Sequence, residues 1–131
     1  MFILFVLIKI TAYEVVRIHI DRIQAIQPLL NVYIDERFND ALNQAEKIDQ
    51  ILDGDESIPE EFNEINAPFL GVPFAIKESM KFIGFHNSTG IAERKDFIAD
   101  ETAKAVENMI KAGAILLCNT NVSEGCMWFE S

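Results

Sequence analysis

A lysine that directly follows an unbroken apolar run is either a surface cation anchored by its stem or an amine that desolvation strips of its proton, so that it can act as a base. Lys77 stands in that position, behind Phe69-Leu70-Gly71-Val72-Pro73-Phe74-Ala75-Ile76. A second apolar run, Ala114-Ile115-Leu116-Leu117-Cys118, leads into the polar triplet Asn119-Thr120-Asn121. Both runs have the length of a buried strand, so each delivers polar groups at its carboxyl end. The residues alone leave both readings of Lys77 open and define a place rather than a reaction.

The other reactive side chains assemble into nothing comparable. Ser57, Ser79, Ser88, Ser123 and Ser131 all lie outside any glycine- and serine-rich stretch, and none has the flanking glycines of a nucleophile elbow. Lys77 and Ser79 are two apart and would share a face in a strand, but no S-x-x-K pattern makes them a dyad. His19 interrupts an apolar helix face and His86 sits in a loop, neither with an assignable partner. Cys118 and Cys126 read as free thiols, which fits a reducing compartment, and with no CxxC or Cys/His cluster the sequence calls for no metal and no cofactor. The stretch Asp53–Asn66 holds six carboxylates but lacks the alternating ligand spacing of a calcium loop, and reads as a solvated acidic surface.

The elements that must position Lys77 follow from periodicity. Thr11 with Glu14 three residues on is a capping box, so a helix starts there. Val16, Ile20, Ile23 and Ile26, widened by Val15 and Ile18, form its apolar stripe, and Pro28 predicts an end near Gln27. A short extended piece over Asn31–Ile34 precedes a second amphipathic helix marked by Phe38, Ala41, Leu42, Ala45, Ile48 and Leu52, with Gly54 just past its end. Asp100 predicts a cap for a third helix running to about Ala112, with Val106, Met109 and Ile110 inward and Gly113 closing it. Strand, helical crossover and strand make a βαβ unit whose strands are parallel and buried between helices. The fold class is therefore α/β, N-terminal helices followed by a βαβ unit. In such sheets the chemistry gathers beyond the carboxyl ends of the strands, which puts Lys77 and Asn119-Thr120-Asn121 on one rim.

At 131 residues the chain is long enough for one domain with a real core. Its 21 acidic and 11 basic residues give a formal charge of -10, and the cations are scattered rather than clustered, so nucleic acid is not an expected partner. The opening run Met1–Ile8 is wholly apolar, but Lys9 ends it far short of the ~20 residues that span a bilayer. Residues 1–10 thus form an apolar start that is not a transmembrane span, ahead of a single domain over 11–131.

The segment Gly71-Val72-Pro73-Phe74-Ala75-Ile76-Lys77-Glu78 resembles the G-V-P-x-x-x-K-[DE] motif of the amidase-signature family. Asn87-Ser88-Thr89-Gly90 is similar to the small polar turn that follows the motif lysine in that family. Ala112–Asn121 resembles its A-G-A-x-x-x-G-K-T-N strand and turn, with Cys118 and Asn119 departing from the usual Gly and Lys. Upstream, Glu14-Val15-Val16, Asp21-Arg22-Ile23 and Pro28-Leu29-Leu30-Asn31 are similar to the first helices of the family. The ending Asn121–Ser131 looks most like the type-2 fatty-acid amide hydrolase branch, where tRNA-dependent amidotransferase subunits carry an acidic pair and a phenylalanine instead.

The resemblance implies that residues 11–131 are the amino-terminal portion of a mixed-sheet α/β/α amidase domain, truncated before its two serines. It implies Lys77 as the catalytic base of a Ser-Ser-Lys triad, and Cys126 and Met127 near the acyl channel. Ordinary core packing is the plainer reading of that last pair. The implied partner is a small, lipid-like amide, with membrane association possible in the full-length protein. A non-catalytic binding protein that retains part of the fold, or an amidotransferase A-type subunit, is the alternative. In either case uncovered apolar surface is expected around Trp128 and Phe129.

Overall fold

A computed structural model describes residues 10–54 and 59–130. The apolar run Met1–Ile8, residues 55–58 of the acidic stretch, and with them Ser57 and Ser131, lie outside the described residues. Helix α1 spans Ala12–Leu30 and opens with the expected capping box: Thr11 Oγ1 accepts the Glu14 N–H at 3.0 Å, and Glu14 Oε2 accepts the Thr11 N–H at 2.9 Å. The Asp49 carboxylate, from the next helix, takes the Ala12 and Tyr13 amides at 2.7 and 2.9 Å. Two more orphan donors of the first turn are satisfied this way, and α1 is tied to its neighbour.

The helix runs three residues past the end that Pro28 predicted. Proline costs only one backbone bond in a last turn, and here the turn is closed from beyond it. Asn31 adopts a left-handed conformation with φ of 48° and donates its N–H to the Gln27 carbonyl at 2.8 Å. The Gln27 side chain then accepts the Val32 and Tyr33 amides at 2.9 and 3.2 Å and donates to the Tyr33 carbonyl at 3.0 Å. Strand β1 consequently begins two residues later than expected, at Tyr33–Glu36. Of the α1 stripe, Val16 and Ile20 are buried and Ile23 packs beside them, but Ile18 faces solvent, as does His19.

Helix α2, Phe38–Leu52, buries Phe38, Ala41, Ala45 and Ile48 as its periodicity requires. The acidic stretch is less detached than its composition suggested, because a short 3₁₀ turn at Glu60–Phe62 sets Phe62 against the core. Strand β2 is Pro73–Lys77 only. The earlier apolar residues form a turn instead, with the Phe69 and Gly71 amides bonded to the carbonyls of Ala112 and Gly113 at 2.9 and 3.0 Å. Gly113 has φ of +89°, and a Cβ there would lie 2.8 Å from the Leu70 Cα, so close approach and backbone conformation both demand glycine.

Helix α3 is shorter than expected, Lys104–Lys111, with Ala103 rather than Asp100 at its N-cap. Asp100 and Glu101 are occupied elsewhere, reaching Lys81 Nζ at 3.6 and 2.8 Å. Val106 is buried, whereas Ile110 is 37% exposed and does not point inward as its spacing suggested. Strand β3 covers Ile115–Thr120.

The three strands form a mixed sheet in the order β1-β3-β2, with β2 and β3 parallel and β1 antiparallel to β3. A bulge between Phe74 and Ala75 resets the β2–β3 register. One core cluster joins α1, α2 and the sheet through Val16, Ile20, Ala41, Ala45, Ile115, Leu117 and Cys118. The other lies with α3, through Ile76, Phe85, Val106 and Leu116. Helices therefore cover both faces, and the βαβ unit is present as expected. Only β3 is buried along its length, however; β2 sits at the sheet edge with Ala75 and Lys77 exposed. No helix among the described residues is long and apolar enough to cross a membrane.

Candidate active site

Lys77 is the last residue of β2, and its Cα partner across the parallel ladder is Thr120, the last residue of β3. Partners in register project to the same face, so the two polar groups share the rim where the sequence put them. The following residue tightens the pair: the Glu78 N–H donates to the Thr120 carbonyl at 2.9 Å. Thr120 Oγ1 donates back to the Ile76 carbonyl at 3.3 Å. Asn121 leaves toward β1, its N–H on the Val32 carbonyl at 2.7 Å. Ser79 lies in the turn after β2 and does not share a strand face with Lys77.

The expected burial of Lys77 is not found in this chain. Among the described residues β2 is an edge strand, and Lys77, at its very end, is exposed. Cys126 and Met127 are not core residues either. Cys126 is exposed, and Met127, Trp128 and Phe129 are 85%, 66% and 83% exposed. The loop that carries them is nonetheless ordered from within: Ser123 Oγ donates to the Trp128 carbonyl at 2.7 Å and accepts its N–H at 3.2 Å. The two aromatic rings stack with centroids 5.1 Å apart.

Three polar groups have burial or partners that the sequence did not announce, and the first of them, expected on the rim with Lys77, turns inward instead. Asn119, one of the two departures from the family pattern, is 0% exposed. Its Oδ1 accepts the Asp35 N–H at 2.7 Å, and its Nδ2 donates to the Asp35 carboxylate and the His86 carbonyl at 3.1 and 3.2 Å. His86, for which no partner was assignable, is held by the same carboxylate: its N–H donates to Asp35 Oδ2 at 2.6 Å and its Nδ1 lies 2.8 Å from Asp35 Oδ1. The third group is Glu78, also 0% exposed, whose carboxylate accepts the Ser88 amide and, at 2.8 Å, the Thr89 amide. An acid following the motif lysine was the only available signal for it; nothing local announces that its side chain turns inward.

Cys118, the other departure, is an inert thiol. Burial pushes its pKa up to about 11, and the charge on Glu36 acts in the same direction. Among the described residues no group of three or more His, Cys, Asp or Glu side chains could hold a metal ion.

Residues 14–131 match the model of the Amidase family, and the chain belongs to that family. It is 42% identical over 123 residues to fatty-acid amide hydrolase 2-A of Danio rerio and 40% identical over the same length to fatty-acid amide hydrolase 2 of Homo sapiens. Each alignment covers 94% of this chain and 23% of the relative, so the chain spans about a quarter of the length of the proteins it matches. A solved structure titled fatty acid amide hydrolase superposes with a TM-score of 0.77 at 18% identity, over 95% of this chain and 21% of that one. That likeness is one of fold.

Proposed function

We propose that this chain supplies the lysine base of a serine amide hydrolase acting on lipid-like amides. The observation that carries the reading is Lys77 at the carboxyl end of β2, in register with Thr120, inside the family motif. A neutral amine there takes a proton from a bridging serine as that serine takes one from the nucleophile. The nucleophile attacks the amide carbonyl, and backbone N–H groups hold the oxyanion. The proton returns along the same route to the departing amine, and water releases the acyl group.

Two requirements follow. Lys77 is solvated in this chain, so the base has to lose its water when the whole amidase domain is assembled. The serines belong to that assembly as well, and hydrolysis is assigned to the protein that carries the complete domain. Cys126 and Met127 are offered as acyl contacts, since the exposed thioether of Met127 adapts to a flexible apolar chain.

The test is hydrolysis of a long-chain primary fatty-acid amide by the protein made from the uninterrupted coding sequence. Replacing Lys77 by Ala is expected to lower kcat by roughly 10²–10⁴-fold, the usual contribution of a general base. Undiminished hydrolysis by that variant would remove Lys77 from the mechanism. A fluorophosphonate probe is expected to label the full-length protein and leave the 131-residue chain unlabelled.

A further inference from the structure

Glu78 follows Lys77 directly and is buried completely, and among the described residues its carboxylate meets backbone amides rather than a cation. Burying an ionised carboxylate is expensive, and an apolar side chain would fill the same space without that cost. The hydrogen bonds show what the charge holds. Oε1 and Oε2 each take one amide of the turn Asn87–Gly90, from Ser88 and Thr89, and the Asn87 side-chain amide donates to the Glu78 carbonyl at 2.6 Å. The successive Ser88 and Thr89 N–H groups thus converge on one anion, which the chain itself supplies, and the turn continues through Thr89 and Gly90 at positive φ, 58° and 71°.

The turn passes the constraint on. The Thr89 carbonyl accepts the Gly125 N–H at 2.9 Å. Gly90 lies so close to the next segment that a Cβ on it would meet the Ser123 backbone and the Val122 carbonyl at 2.8 Å. Meanwhile the Glu78 amide fixes the end of β2 to Thr120 at 2.9 Å. One residue therefore joins Lys77 through its backbone to the loop bearing Cys126 and Met127 through its side chain.

We infer that Glu78 is a positioning residue that sets Lys77 against the Ser123–Met127 loop through the Asn87–Gly90 turn. The catalytic consequence rests on the amide-hydrolase reading above; the clamp does not. Glu78→Gln keeps the shape but leaves one acceptor oxygen for two amides and points an NH₂ at the other. In the 131-residue chain, residue-resolved hydrogen exchange is expected to show the Ser88, Thr89 and Gly125 amides exchanging about tenfold faster in that variant, with α1 amides unchanged. Wild-type exchange at all three would overturn the clamp.

In the full-length protein, kcat/KM per fluorophosphonate-titrated site is expected to fall about tenfold in Glu78→Gln and to recover partly in Glu78→Asp, which retains both oxygens. A fall in the number of titrated sites with unchanged kcat/KM per site would reduce Glu78 to a folding role and overturn the positioning claim. Failure of wild-type protein to hydrolyse amides would defeat the hydrolase reading, while the exchange rates would still decide the clamp.

Discussion

Lys77 and Thr120 end two parallel strands in register, and the amide of the residue after the lysine closes the pair on the Thr120 carbonyl at 2.9 Å. The lysine is thereby fixed by its backbone while its side chain is exposed. Stability and chemistry should separate at this position. Lys77→Met is expected to change the unfolding free energy of the chain by no more than about 0.5 kcal/mol, as for other exposed substitutions. The same change should lower kcat for amide hydrolysis in the full-length protein by the roughly 10²–10⁴-fold expected of a lost general base. Urea titration and a product assay on matched samples check the two halves.

Gly113→Ala tests the junction between α3 and β3. The new methyl would lie 2.8 Å from the Leu70 Cα, at a φ of +89°. Both the clash and the backbone strain oppose it, and a loss of about 1–3 kcal/mol is expected. A shift in the urea midpoint at constant slope would measure it, and an unchanged midpoint would mean that the Leu70 turn can move aside.

Asn119→Ala should cost about 1–3 kcal/mol, because it leaves the part-buried Asp35 amide and the His86 carbonyl without their partner. Asn119→Asp is the sharper probe. It keeps an acceptor for the Asp35 amide but sets a second carboxylate against the one already there, so at neutral pH it is expected to destabilise at least as much as Ala. Equal stability of the Asp variant and wild type would count against the network.

The two thiols should behave differently. With its pKa pushed up to about 11, Cys118 is almost wholly protonated at pH 8, whereas Cys126 is exposed. Iodoacetamide at pH 8 is expected to modify Cys126 alone, as read by peptide mass. The sign of the linkage follows. The folded state holds the Cys118 proton more tightly than the unfolded chain, whose thiol has a reference value of 9.0. That contribution to stability is complete below about pH 9 and is lost as pH rises to about 11. Cys118→Ser should flatten this alkaline decline.

What could be read from the sequence was what local chemistry decides. The capping box at Thr11 and Glu14, the whole of α2 and the parallel pairing of β2 with β3 needed only spacing and side-chain type. The errors arose where a distant or unforeseen partner intervened. Gln27 closes the end of α1 from across the chain turn, and Lys81 draws Asp100 and Glu101 away from the cap they were expected to form. Asp35 and His86 are 51 residues apart, a separation at which no periodicity can announce a contact. The family motif marked Lys77, but exposure depends on what lies over the neighbouring strand, and β2 proved to be an edge.

The Asp35 amide and the Asn119 carboxamide that receives it are 84 residues apart, so β1 has no neighbour until β3 exists. During synthesis at about 5–20 residues per second, the Tyr33–Glu36 segment therefore waits roughly 4–17 seconds for its partner strand, with only the Gln27 side chain on its backbone at Tyr33. The helices on either side, joined by Asp49, can form in that interval. Ribosome-bound chains arrested before Ile115 emerges should leave Tyr33–Glu36 open to protease, and protection there should begin when β3 clears the exit tunnel. Of the three described strands the middle one is made last, and it decides when the first is committed.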